Sequence, residues 1–560
     1  MTKENNILKV GLLLDDFITD RYVYELIKKS LKSEHYQINL LVVQKNSANN
    51  SNVFTKYYNY IKKRGFKKFI ENTTFRLIEK LESLILVRMA KYKNYFDKFD
   101  LNKFDINSLI VHPSISKSGL IYRYSKDDLK KIKAHKLDLL IRCGGGIQRG
   151  KILNICNLGV ISFHHANNNI NRGGPPGFWE VYNREADTGF IIQILKDELD
   201  GGDVLYKGSI FTKFFYLYNK AELYSKSNVF MHKIIENISK DKLKMKFLPK
   251  RPYYNKLYST PSLLIQINYL NKLIKIFFSH LLKYIFSIKQ RWGVAYKFTK
   301  NWDDTVLWKS SIIKNPPNRF LADPFPWYYK GKHYCFVEDF CFKENKGCIS
   351  VYEVNKDGYV ELGVAIKEDF HLSYPFIFED NNNLYMCPES YENKDIRLYK
   401  CIEFPLKWEL EIKLIENIQA VDTNIFYKNN KWWMLTSMDS SDSEQFDSEL
   451  HIFWSDTLLS NKWYPHKLNP VICDSKRGRN GGLLFKNNDI YRVFQSASFY
   501  FYGKSFGVAK IIEISESKFI EEVDFEVKPN FFEDIKGTHT YNFKNGLMVI
   551  DFVKIENIKK

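Results

Sequence analysis

Paired cysteines are missing from this chain. Its 8 cysteines are scattered over 560 residues without a Cys-x-x-Cys pair, which speaks against a zinc site and against a disulfide framework. No metal is expected. The opening Met1-Thr2-Lys3-Glu4-Asn5-Asn6 is not a secretory signal, so the expected compartment is the cytoplasm. Long apolar runs without charge are missing too. The most hydrophobic stretch, 262–292, is interrupted by Asn271, Lys272, Lys275, His280, Lys283 and Lys289 and does not qualify as a membrane span. The glycine triplet Gly144-Gly145-Gly146 lacks G-x-G-x-x-G spacing, so dinucleotide binding is weakly indicated at best.

What is present is length, aromatic rings and positive charge. A chain of 560 residues with 44% hydrophobic and 16% aromatic side chains builds real cores, in two or three domains. Lys and Arg exceed Asp and Glu by 84 to 64, a net charge of +20. Two readings of that charge stand: solvated lysine faces, or attraction to anionic partners such as sugar nucleotides, lipid headgroups or RNA. Nucleic acid is not an expected partner.

Taken in order, residues 9–14 read as a buried strand, a helical pattern follows, and 38–43 read as a second strand. That is a parallel βαβ unit. A helical insertion is expected over about 51–105, and further strands over 137–141, 160–163 and 190–195, within an α/β domain spanning 1–245. Glycines 144–146 follow one of these strands, where backbone can approach a ligand closely. His164 and His165 end the next strand, before a loop carrying Arg172, Gly173, Gly174, Pro175 and Pro176. The turn Glu198-Leu199-Asp200-Gly201-Gly202-Asp203 follows the third, and is expected to set Asp203 beside the histidines. Imidazole plus carboxylate moves a proton near neutral pH. The bland alternatives are a histidine pair that supports the loop and an Arg172 salt bridge.

This stretch resembles the formyltransferase family of methionyl-tRNA, glycinamide-ribonucleotide and sugar N-formyltransferases. Ser162-Phe163-His164, Arg172-Gly173, Asp187-Thr188-Gly189 and Leu199-Asp200-Gly201-Gly202-Asp203 match its motifs in order and spacing, except that Ser162 stands where the family has Asn. The resemblance implies a Rossmann-type parallel sheet and N10-formyltetrahydrofolate as formyl donor. It makes His164 the base and oxyanion donor, Asp203 its orienting carboxylate, and Ser162 or His165 the second donor. Gly144, Gly145, Gly146, Asp200 and Gly201 would border the folate, while Arg172 and Gly173 would meet the substrate.

Residues 246–300 read as a basic amphipathic helical linker. Its stretch 262–292 either packs on a domain or touches an anionic membrane peripherally. From 301 to 560 the sequence is strand-rich and repeats. Asp323 leads to Glu338 after fifteen residues, Tyr374 to Glu389, Asp422 to Ser437 and Asn480 to Gln495 at the same interval, with a shorter copy from His539 to Asp551. Units of this length indicate an all-β five-bladed propeller. Asp323, Glu338, Glu389, Asp422, Arg479 and His539 are expected to gather at its channel.

That half resembles the N-terminal propeller of plant glucosamine inositolphosphorylceramide transferases. Ala322-Asp323-Pro324-Phe325, His371-Leu372-Ser373-Tyr374-Pro375, Phe404-Pro405-Leu406-Lys407-Trp408 and Arg479-Asn480-Gly481-Gly482 carry the likeness. It is similar, more distantly, to five-bladed glycoside hydrolases, which implies Asp323 as base and Glu389 or Glu338 as acid. The carboxylates alternatively hold a sugar without chemistry. The expectation is an N-formyltransferase acting on a nucleotide- or lipid-linked amino sugar in surface polysaccharide or glycolipid biosynthesis. Two alternatives stand beside it: a glycosyltransferase or glycosidase propeller next to a degenerate first domain, and a non-catalytic glycan-binding scaffold.

Overall fold

A computed structural model of the protein describes residues 7–45, 58, 60–62, 64–198, 201–240, 245, 247–441 and 443–557. The chain divides into two compact units, Met1–Leu273 and Ile274–Lys560.

The first unit is built on a seven-stranded sheet. Strand β1, Leu8–Leu14, is buried at six of its seven positions, as a strand covered on both faces must be. Helix α1, Arg21–Ser30, buries Val23, Leu26 and Ile27, a helical stripe facing the sheet. Strand β2 is Tyr36–Gln44. Within the expected insertion lies helix α2, Phe66–Leu86. Then come β3 (Asn107–Val111), α3 (Lys126–Ala134), β4 (Leu139–Arg142), β5 (Val160–His164), α4 (Phe178–Asn183), β6 (Asp187–Ile194), β7 (Asp203–Phe211) and α5 (Tyr216–Lys240).

The strand order is β7-β6-β5-β4-β1-β2-β3. Neighbours from β5 to β3 run parallel, whereas β6 lies antiparallel to β5 and β7 to β6. The sheet expected to be parallel is therefore mixed. A parallel return needs a crossover of about a dozen residues or more, and 195–202 are too few, so β7 folds straight back on β6. The order reverses between β1 and β4, the crevice where open α/β sheets bind ligands.

Among the described residues the second unit contains five antiparallel sheets. The first four begin with Arg319–Tyr329, Ser373–Asp380, Ala420–Lys428 and Arg479–Lys486. The fifth pairs Tyr541–Lys544 and Leu547–Asn557, near the end of the chain, with Ile288–Phe298 and Ser311–Ile313. Thus 288–298, read from sequence as linker, is a strand that joins the two ends of the unit. The leading strand of each sheet packs on that of the next, and the fifth returns to the first. The arrangement is propeller-like.

Local chemistry explains the repetition. Each sheet opens with a two-residue hairpin turn whose residues both have positive φ: Lys330-Gly331, Asn381-Asn382, Asn429-Asn430, Asn487-Asn488 and Asn545-Gly546. Such turns match the twist of paired strands and favour Asn and Gly. The leading strands also share a bulge, between Ala322 and Phe325, Ser373 and Phe376, Val421 and Asn424, and Asn480 and Gly482. Left-handed residues sit in it: Asp323 at φ 47°, Tyr374 at 46° and Asp422 at 52°. A bulge re-aims the side chains around it, and two of these residues are the carboxylic acids Asp323 and Asp422.

A buried ion pair ties the fourth sheet together. Arg492 Nε and Nη2 donate to Glu521 at 2.8 and 2.7 Å, and their side chains are 0% and 3% exposed. Removing one partner strands the other charge, at a cost of about 3–5 kcal/mol. Glu521→Ala is therefore expected to lower the unfolding free energy of the second unit, read from its urea midpoint and slope, by that amount. Exchange of both residues for apolar side chains of similar volume should cost far less.

Candidate functional site

In the first unit the expected cleft does not assemble. His164 Nε2 donates to the carbonyl of Asn171 at 2.8 Å, which places its ring against the loop. The His165 ring is stacked between Phe163 and Tyr224, with ring centroids at 5.3 and 3.8 Å. Loss of solvent around the ring pushes its imidazolium down to about 3, so the ring is neutral. The Ser162 hydroxyl donates to the carbonyl of Phe163 at 3.0 Å.

Asp203 stands opposite Ile194 on β7, whereas His164 stands opposite Ile191 on β5. Two strand spacings, about 10 Å, separate their rows. The β6–β7 turn starts beside Val160, where Leu195 N–H meets the Val160 carbonyl at 2.8 Å, at the amino end of β5. The Asp203 carboxylate is held instead by Lys250 at 3.0 Å and Lys196 at 3.4 Å. Although partial burial opposes it, hydrogen bonds from those lysines keep that carboxyl below its ordinary range. The pairing of His164 with Asp203 is corrected accordingly.

The glycines have structural tasks. Gly145 N–H donates to Asp15 Oδ2 at 2.6 Å, and a Cβ on Gly144 would lie 2.7 Å from the same carboxylate. The protein's own carboxylate fills the turn in which a ligand was expected. Gly146, at φ 75°, lies against Tyr122. The backbone of Tyr258 would be 1.9 Å from a Cβ on Gly173. Arg172 Nε donates to Asn168 O at 2.9 Å, and its guanidinium stacks 4.6 Å from Tyr253. Arg172 and Gly201 line one cavity of about 260 Å³, with Lys207, Lys250, Arg251 and Glu198. Asp200 lies outside the described residues.

In the second unit the expected residues do come together. Asp323, Glu338, Glu389, Arg479 and His539 line one cavity of about 260 Å³, with Trp292, His371, Ser373 and Tyr502. Asp422 lies behind it. Arg479 Nε donates to Asp422 Oδ2 at 2.6 Å, its Nη2 is 3.8 Å from Glu389 Oε2, and its guanidinium stacks 4.8 Å from Tyr502. Gln495 Nε2 also donates to Asp422, at 2.8 Å.

Opposite stands a histidine. His539 stacks on Trp292 with centroids 3.9 Å apart and places Nδ1 2.5 Å from Asp551 Oδ2. Burial alone would lower its imidazolium, yet Asp551 outweighs this and raises it. Asp323 accepts from Thr540 Oγ1 at 2.7 Å and has His539 Nδ1 at 3.8 Å. Asp323, His539 and Asp551 offer ligand atoms within 4.8 Å of one another. The 2.5 Å contact is closer than two ligands of one metal ion stand.

The three cavity carboxyls are driven toward their neutral forms. Burial pushes Asp323 up to about 6 although His539 pulls the other way. Burial, then Asp323 and Glu389, push Glu338 well above the carboxylate range. Burial, then Asp422, do the same to Glu389 against the pull of Arg479. Glu389 Oε2 is buried without a hydrogen-bond partner. Gly347 N–H donates to His371 Nδ1 at 2.9 Å, so the neutral ring carries its proton on Nε2, 3.6 Å from Glu338. Such acids in a cleft are chemically useful.

Sequence reasoning missed His371, Trp292, Tyr502 and Asp551. Asp551 closes the shortened fifth repeat and was within reach of the pattern. Trp292 lay in the presumed linker, and nothing local marks Tyr502.

The family model described as glucosamine inositolphosphorylceramide transferase 1, N-terminal, matches residues 304–556. Glucosamine inositolphosphorylceramide transferase 1 of Arabidopsis thaliana is 34% identical over 233 residues, covering 40% of this chain and 29% of that protein. The chain thus spans less than a third of that relative's length. Among solved structures, Zg3597, a family 117 glycoside hydrolase produced by Zobellia galactanivorans, is 12% identical with a TM-score of 0.32, covering 47% of this chain and 90% of that one. Glycinamide ribonucleotide transformylase 1 from Symbiobacterium toebii is 8% identical with a TM-score of 0.29, covering 43% and 91%. Neither structural likeness bears on activity. The curated relatives are named for a transferase concerned with glucosamine and inositolphosphorylceramide, and not for formyl transfer. The expected N-formyltransferase and its donor N10-formyltetrahydrofolate are overturned by that finding, which the unassembled His164 cleft accompanies.

Proposed function

We propose that the second unit is a closed five-bladed propeller that takes part in glycosyl transfer, with a glucosamine-type sugar and an inositolphosphorylceramide-type lipid as partners. One observation carries this reading. Carboxyls from the first and second sheets, Asp323, Glu338 and Glu389, share one cavity with Arg479 of the fourth sheet and His539 beside the fifth. Similarity to the named relatives over this unit supports the substrate class.

The division of labour follows from protonation. Asp323, ionised above about pH 6, takes the proton from the acceptor hydroxyl as its oxygen bonds to the anomeric carbon. Glu389, whose carboxyl burial and Asp422 push well above the carboxylate range and whose Oε2 is unpartnered, gives a proton to the oxygen that leaves that carbon. Arg479 is the guanidinium that lines the cavity and would meet a phosphate there. Asp551 holds His539 through its ring and through the His539 and Thr540 N–H groups at 2.8 and 3.1 Å, which makes it a positioning residue.

The test supplies the full chain with activated glucosamine and an inositolphosphorylceramide lipid, and follows the added sugar by mass spectrometry. Glu389→Gln and Asp323→Asn are each expected to lose ~100-fold or more in turnover, while His164→Ala and Asp203→Ala keep it. A sugar that binds but is never transferred by the unaltered protein would sink the catalytic reading and leave a glycan-binding module.

Two pH effects follow from Asp323. With the carboxylate as base, kcat/KM rises through about pH 6, and Asp323→Asn removes that limb. The folded pKa is raised above the unfolded value of ~3.9. The contribution to stability is then complete below ~4 and lost as pH rises through about 6. Asparagine resembles the protonated form, so Asp323→Asn is expected to melt higher than the parent at pH 7 while losing activity. Equal melting temperatures would count against the raised carboxyl.

A further inference from the structure

Helix α6, Leu263–Ile285, is exposed on the wrong side for a soluble helix. In its part within the second unit, Ile274, Phe277, Phe278, Leu281, Leu282 and Ile285 are 52%, 66%, 55%, 40%, 51% and 57% exposed. Their i, i+3, i+4 spacing puts all six on one continuous face. No residue of this part is buried among the described side chains; only Gln266 and Tyr269, earlier in the helix, are. His280 faces Tyr500 with centroids 5.6 Å apart, so the packed side is the more polar one. An apolar face of this extent on a protein surface marks a surface that something covers.

The charge around it says what. Between Leu263 and Lys289 there is no Asp or Glu, while Lys275 borders the apolar face, Lys283 lies on the polar side of the helix and Lys289 follows it. A second copy laid against this face would bring lysine to lysine with no acidic residue on the helix to answer. A bilayer bearing anionic lipid answers both features, because apolar rings enter the acyl boundary while lysine stems reach the phosphates. No described helix is long and apolar enough to cross a membrane, so the helix would lie in the interfacial plane.

We propose that the 274–286 part of α6 is a docking surface for anionic bilayers. The proposal goes beyond the glycosyl-transfer reading and stands without it. The experiment mixes the full chain with sugar-free vesicles of phosphatidylcholine, with or without phosphatidylserine, and measures co-sedimentation. The parent protein is expected to bind the anionic vesicles at least tenfold better than the neutral ones, and more weakly as salt rises. Phe277→Ser with Phe278→Ser should lose binding to both, and Lys275→Glu with Lys283→Glu should lose the preference for the anionic ones. Circular dichroism and melting establish that each variant is folded, and the charge-reversal pair remains informative if the phenylalanine pair is not. Unchanged binding by the folded variants overturns the proposal. So does an absence of vesicle binding together with self-association in sedimentation velocity that the phenylalanine variant abolishes.

Discussion

The ion pair between Arg479 and Asp422 is the constraint on which the cavity of the second unit depends. It is largely buried, with the side chains 15% and 3% exposed, and a charge removed from water persists only when paired and hydrogen-bonded. Asp422 receives Arg479 and Gln495, while the Asp422 carbonyl receives Asn480 at 2.8 Å. The third and fourth sheets are thereby locked where their leading strands meet. The same arginine then has Nη2 left to face Glu389 on the second sheet. One guanidinium thus sets the distance between three sheets and the electrostatics of the cavity.

That placement relies on strained backbone. Asp323, Tyr374 and Asp422 occupy left-handed conformations that Asp tolerates better than Tyr. Tyr374 is fully buried and its hydroxyl donates to Asn424 at 3.0 Å, so packing and a hydrogen bond hold it there. Strain of this kind persists where the surrounding structure over-determines it, and it clusters at functional sites. Glu338 and Glu389 are less constrained: they sit in register opposite Ala322 and Ser373, beside the bulges.

The first unit shows how a motif and a site part company. Every residue that suggested proton transfer there is present, and each is occupied with holding the fold. His165 is stacked and neutral, Ser162 and His164 bond to main-chain carbonyls, and Asp203 answers two lysines. The switch-point crevice between β1 and β4 is likewise filled from within by Asp15.

Local chemistry determined much of this protein. Apolar runs marked the parallel strands, Asn and Gly marked hairpins, and the fifteen-residue interval paired Asp323 with Glu338 and Tyr374 with Glu389. These signals are local because strand alternation and turn conformation depend on near neighbours. They sufficed to bring Asp323, Glu338, Glu389, Arg479 and His539 to one list. Tertiary structure alone decided the partners. Whether Asp203 meets His164 or Lys250 depends on strand order and on the direction in which β6 and β7 return, and neither is written in the spacing. Likewise Trp292 reaches His539 only because Ile288–Phe298 pairs with Leu547–Asn557, a contact between distant segments that no local pattern encodes.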